Sequence, residues 1–266
     1  MTALTKHDWA VIDKAMNSAR RGAFEQALED FSMLEERTTD PRELATILLN
    51  EAQCNRMLGN FSKAYADCDR VLCLSTGREE DAVDAWMVKA ALLVDEGRLS
   101  DALSVIDASL KCYPNTNTNL QLLRRGEILT ALGEYEQAIP VLKSVLRTDE
   151  FDPSEVAMIH HRLGVSYGMV GQFDNASEHL LMTRSQPLPE RYRSSNSFWL
   201  AKIKAQARDF RGAKTDLLDA LKHADRSDVE LLKDLYESLA NVARELGDEV
   251  EVATYERLWR AQTQRR

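Results

Sequence analysis

The chain has 266 residues, 44% of them hydrophobic and 29% charged, proportions that supply a core and exclude disorder as the main state. Eleven glycines and six prolines are too few for the turns of an all-β protein of this length, so composition leans toward helices. A formal net charge of −9 makes nucleic acid a poor partner, because polyphosphate repels an acidic chain.

The N-terminal stretch from Met1 to Trp9 has no basic segment followed by an apolar run, so it does not read as a secretory signal. No stretch further along approaches the ~18 apolar residues that span a bilayer. The expectation is a cytoplasmic protein without membrane contact, with Cys54, Cys68, Cys73 and Cys112 as free thiols in a reducing compartment.

One phrase then recurs along the chain: Gly, any residue, an aromatic or Leu, two residues, Ala. It runs Gly22, Phe24, Ala27; Gly59, Phe61, Ala64; Gly97, Leu99, Ala102; Gly133, Tyr135, Ala138; and Gly171, Phe173, Ala176. A sixth copy, Arg208, Phe210, Ala213, has lost the Gly, and a seventh around Gly247 and Ala253 is off by one residue. Six intervals separate Gly22 from Gly247, a period of about 37–38 residues. The Gly ends one helix where a left-handed backbone angle is cheap only without a Cβ. The aromatic opens the next helix, and the Ala sits where two helices approach closely.

Seven residues before each turn lies a small residue: Ala15, Ala52, Ala90, Gly126, Gly164, Ala201 and Ala240. Two helical turns put it on the same face as the Gly. Apolar residues at helical spacing follow each Ala, as in Phe31 with Leu34, Ile106 with Leu110 and Leu142 with Val145. Each unit therefore reads helix, Gly turn, helix. Start signals mark the boundaries. Asp40-Pro41-Arg42-Glu43 and Asp152-Pro153-Ser154-Glu155 each offer an N-cap, a Pro at the first helical position and a Glu at the third. Ser227-Asp228-Val229-Glu230 reads as a capping box led by Ser227, and residues 113–119 as a loop. With no Gly/Ser-rich or Pro-rich linker, residues 1–266 read as one domain. Its units fall approximately at 5–40, 41–78, 79–116, 117–152, 153–188, 189–226 and 227–266.

Leu163-Gly164, Tyr167, Gly171, Phe173 and Ala176 together resemble the signature of the tetratricopeptide repeat family, and Trp86 sits where that family often has Trp. The resemblance covers nearly the whole chain, although the family's unit is about 34 residues and these are longer. It implies an all-α, tetratricopeptide-like solenoid of about seven helical hairpins in a right-handed superhelix. It also implies a concave groove lined by the first helix of each hairpin, where partners bind as extended peptides or helices. Inward residues by that resemblance are Trp9, Met16 and Arg20; Asn50, Gln53, Arg56 and Met57; Asp84, Met87 and Asp95; Arg124 and Glu127; Met158, His161, Arg162 and Met169; and Phe198, Trp199 and Lys202.

Thioethers suit adaptable apolar binding surfaces, though Met equally fills gaps between helices. Arg124 and Arg162 hold equivalent places in adjacent units, where they are expected to hold a carboxylate by bidentate contacts; the competing reading is an ion pair such as Arg124 with Glu127. The family's carboxylate clamp for chaperone tails is absent: Asn50 has Ile12, Met16, Asp84 and Val88 where its partners belong.

Catalysis finds no support. His160 and His161 are adjacent and point about 100° apart on a helix, so they cannot share a metal. No zinc-protease His pair, Cys-x-x-Cys, phosphate loop or nucleophile elbow occurs. The expectation is a non-enzymatic protein–protein interaction scaffold without cofactor or metal, binding a protein or peptide. Alternatives are a peptide-sensing signalling receptor and, third, a helical enzyme or lipid carrier. A monomer is expected, with the last helix as a polar-faced cap: it carries Val250, Tyr255, Leu258 and Trp259, with Val250 and Val252 on different sides, and one apolar side docks on a stripe of Leu235, Leu239 and Val242. Glu251, Arg257, Gln262 and Arg265 face out, and Arg260, Arg265 and Arg266 suit the helix dipole. A homo-oligomer is the alternative.

Overall fold

A computed structural model describes residues 3–263 except 75, 149 and 184–186. Among them are fourteen α-helices and no strand. They are α1 (Lys6–Arg20), α2 (Phe24–Glu35), α3 (Pro41–Met57), α4 (Phe61–Cys73), α5 (Glu79–Asp95), α6 (Leu99–Cys112) and α7 (Thr118–Leu132). There follow α8 (Tyr135–Val145), α9 (Pro153–Met169), α10 (Phe173–Met182), α11 (Glu190–Gln206), α12 (Phe210–His223), α13 (Val229–Glu245) and α14 (Glu249–Thr263). The helices group into two compact units, the first ending at Leu132 with α7 and the second beginning at Gly133 before α8.

The recurring phrase has the expected physical basis. Gly22, Gly59, Gly97, Gly133, Gly171 and Gly247 all have φ between 74° and 83°. At Gly59 the next amide, Asn60 N–H, donates back to the Asn55 carbonyl at 2.8 Å, closing a Schellman turn. The sixth copy builds the same turn without glycine: Arg208 takes φ 61° and Asp209 N–H donates to the Lys204 carbonyl at 2.9 Å. Ala27, Ala64, Ala102, Ala138, Ala176 and Ala213 are fully buried. In the seventh copy Val252, not the exposed Ala253, takes that buried place, which accounts for the phrase being off by one. Gly164 shows why the upstream position stays small: a Cβ there meets the Leu180 side chain at 2.5 Å.

The cores are built from neighbouring helices. One cluster joins Ile12, Phe31 and Leu34 to Ile47 of α3; the next joins Leu48 and Cys68 to Val88 and Leu92 of α5; a third joins Val83 and Ile106 to Ile128 of α7. In the second unit Phe198, Leu217, Leu235 and Leu239 share one cluster. Each fully buried large side chain contributes about 1.5–3 kcal/mol, so stability is spread along the repeats. Cys54 and Cys68 are buried free thiols, and burial pushes Cys54 up to about 11 and Cys68 up to about 12; Cys73 and Cys112 are exposed and also free.

Three local expectations are corrected. The N-cap of α13 is Asp228, whose carboxylate accepts from Leu231 N–H at 3.0 Å, while Ser227 donates to Asp225 instead. Carboxylate geometry at the later residue wins because it reaches the free amide three residues on. Helix α7 starts at Thr118 inside the expected loop, after Asn117 adopts φ 49°. In α14, Tyr255, Leu258 and Trp259 dock on Leu235, Leu239 and Val242, and Val252 is buried while Val250 on the other side is 78% exposed; Gln262, expected on the outer side, is instead buried. Arg265 and Arg266 lie outside the described residues. The Asp152 capping box forms as expected; at Asp40 the cap forms, but Glu43 turns away to accept the Leu4 amide at 2.9 Å.

Candidate functional site

Within the first unit α1 adjoins α3, α3 adjoins α5 and α5 adjoins α7; within the second, α9 adjoins α11. No two second helices of consecutive hairpins come equally close among the described residues. Hairpins whose first helices lie nearer than their second helices curve toward the first-helix side, so in each unit that face is the inner one.

In the first unit two inner cations, Arg56 and Arg124, are neutralised locally. Arg56 pairs with Asp95 of the next first helix at 2.9 Å and donates to the Gln53 side chain at 3.2 Å. Arg124 pairs with Glu127 one turn on at 2.7 Å, the ion pair that competes with a ligand-binding role. The Asn50 amide donates to the Thr46 carbonyl at 2.8 Å. Gln53 and Met57 are exposed and open to a partner. Met87 is not: it is 8% exposed within the core beside Val83 and Ile106 and belongs to packing, because the neighbouring hairpins close over that part of α5.

In the second unit the inner wall is aromatic and cationic. His161 is buried, with Nδ1 3.4 Å from the Asn196 amide oxygen and its ring 5.3 Å from Tyr192, and burial drives its pKa down to about 4. It is a neutral packing histidine, not a contact residue. Arg162 donates to the Tyr192 hydroxyl at 3.2 Å and lies 5.6 Å from that ring's centre. Met158 is half-buried and Met169 is 49% exposed. Trp199 is half-buried, and Lys202 is exposed with its ammonium 4.7 Å from the Trp199 ring centre and 5.3 Å from that of Phe198.

The structure therefore brings Trp199 and Lys202 together on α11, with Trp199 against Gly168 of α9, and sets Arg162 of α9 against Tyr192 near the start of α11; Tyr192, Asn196 and Gly168 are members that sequence reading missed. Gly168 carried a signal, being a glycine inside a helix with no turn to make.

Two other features complete the chemistry. His160 and His179 face each other across the fifth hairpin with Nδ1 atoms 2.8 Å apart, and His179 stacks on Tyr167. A cleft of about 580 Å³ is lined by Thr183, Asn196, Ser197, Asp216, Asp219 and His223. Asp216 is matched within the fold by Lys204 at 2.7 Å, and His223 Nδ1 faces Glu190. Among the described residues no group of three or more His, Cys, Asp or Glu side chains is placed to hold a metal ion, and no helix is long and apolar enough to cross a membrane.

No protein-family model and no curated protein sequence matches the chain. Solved structures do. The C-terminal part of a tetratricopeptide-repeat protein from Cytophaga hutchinsonii is 16% identical, with a TM-score of 0.59 over 96% of both chains. A signal-transduction ATPase from Pyrococcus horikoshii with a tetratricopeptide-repeat sensor is 18% identical, with a TM-score of 0.74 over 96% of this chain and 42% of that one. YrrB, a tetratricopeptide-repeat protein described as having an unusual peptide-binding site, is 17% identical, with a TM-score of 0.53 over 76% of this chain and 94% of that one. The fold is thus that of the tetratricopeptide-repeat proteins, an all-α helical repeat.

Proposed function

We propose that this protein is a non-enzymatic interaction scaffold that binds a peptide or a partner protein on the inner, first-helix face of its hairpins. The observation that carries this reading is the adjacency of α1 with α3, α3 with α5 and α5 with α7 in the first unit and of α9 with α11 in the second, which sets their outward residues side by side. That surface holds Asn50, Gln53, Arg56, Met57 and the Arg124–Glu127 pair in one unit and Met158, Arg162, Met169, Trp199 and Lys202 in the other. Exposed thioethers and half-buried rings supply adaptable apolar contact, and guanidinium groups supply bidentate polar contact. The likeness to a repeat protein described as peptide-binding agrees with this use of the face.

Charge reversal tests the reading. Arg124→Glu and Arg162→Glu, made separately, are expected to reduce recovery of a captured partner at least tenfold while the helical circular dichroism signal stays unchanged. Equal recovery by both variants and the wild type contradicts it.

A further inference from the structure

Lys202 is held in an unusual way for an inner-face cation. Its ammonium lies over Trp199 and Phe198, whose rings meet edge-on at 66°. Among the described residues it has no ion pair. Arg56 and Arg124 of the first unit, by contrast, are already neutralised, by Asp95 and Glu127. Its helix α11 is also the most basic first helix, with Arg191, Arg193, Lys202 and Lys204 against Glu190 alone. Arg193 is spent on Glu190 at 3.1 Å and Lys204 on Asp216 at 2.7 Å.

The platform beneath is fixed by backbone. A Cβ built on Gly168 comes within 2.8 Å of the Trp199 ring, so the indole packs this closely on α9 only because that residue is glycine. Met169, next along α9, is 49% exposed. An indole half-covered on one side, a cation over it and a thioether on the adjoining helix form a surface with apolar area and one uncompensated positive charge.

From this we infer that the α9–α11 face takes an acidic segment of a partner polypeptide. A carboxylate of that segment pairs with Lys202, and an apolar or aromatic side chain of the same segment lies on Trp199. A carboxylate gains a charge-assisted hydrogen bond from an ammonium already held over two rings. The overall charge of −9 opposes this only at long range, since salt screens separations beyond about 8 Å at physiological ionic strength. The inference rests on the docking role proposed above and names its partner chemistry.

Three labelled probe peptides test it by fluorescence anisotropy: glutamate alternating with phenylalanine, the same peptide with glutamine for glutamate, and with lysine for glutamate. The acidic probe is expected to bind at least tenfold more tightly than the glutamine probe, with affinity falling as salt rises. Lys202→Gln removes that preference and leaves the glutamine probe unchanged; Trp199→Ala weakens both. Equal binding of acidic and glutamine probes, or full acidic-probe binding by Lys202→Gln, overturns the inference. Failure of all three probes also overturns it. A partner still captured by the wild type and lost in Arg124→Glu or Arg162→Glu then leaves the docking role standing.

Discussion

Trp199 rests on the backbone of Gly168, two residues from different hairpins of the second unit, with the ring 2.8 Å from where a Cβ of residue 168 would stand. Gly168→Ala is therefore expected to push the indole off α9 at a cost of about 1–3 kcal/mol, the usual range for overpacking. Thermal denaturation reads the loss. A Trp199→Leu background, which has a smaller side chain at the contact, recovers part of it. An unchanged melting temperature for Gly168→Ala contradicts the contact.

Arg208 carries the left-handed turn that glycine makes in the other copies. A side chain at φ 61° costs about 1–2 kcal/mol in the folded state, offset partly by the greater freedom glycine brings to the unfolded chain. Arg208→Gly is expected to stabilise the protein by about 0.5–1 kcal/mol in urea denaturation. A destabilised variant shows that the Arg208 side chain makes a compensating contact.

Ala138 and Ala176 are fully buried, and Ala176 lies where α9 and α10 meet, its carbonyl against Gly164. Leucine at either place is expected to cost about 1–3 kcal/mol. Thermal melts identical to wild type show that the alanine positions do not set the helix spacing.

The two units are expected to respond oppositely to pH. In the first, burial and the nearby Glu35 push the Glu51 carboxyl up to about 7. A raised carboxyl binds its proton more tightly when folded, so its contribution is full below about 4.5 and is lost as pH rises through 7. In the second unit burial lowers His160, His161 and His179, with His179 adding to the shift at His160; Glu178 opposes it at both His160 and His179, and Lys143 reinforces it at His179. Lowered histidines contribute fully above about 6.5, and that contribution is lost as pH falls toward 4. Hydrogen-exchange protection factors at pH 7.5 and 5.5 read both units at once. Protection is expected to rise on acidification in α3 and fall in α9. Parallel changes in the two helices contradict the assignment.

Local chemistry explains which parts were legible in the sequence. Turn glycines and close-approach alanines report φ and interhelix distance directly, so the hairpins emerged from residues such as Gly59 and Ala64 alone. The cap of α13 slipped by one residue because Ser227 and Asp228 are both good caps and only geometry separates them. Met87 and His161 looked available because helical phase places them inward, yet the adjoining hairpins cover both. Trp199 was visible as a candidate, whereas its seat on Gly168 depends on the register between two hairpins, which no local pattern encodes. Val250 and Val252 sit two apart on α14, and one face holds only the second.

Photo-crosslinking tests the central claim, that partners dock on the first-helix face, most directly. A benzophenone amino acid is placed at Gln53 or Met169 on first helices, and at Met33 or Leu218 on second helices, all exposed positions. One and the same partner is expected to crosslink from Gln53 or Met169 and not from Met33 or Leu218. A partner that crosslinks from Met33 or Leu218 alone contradicts the claim.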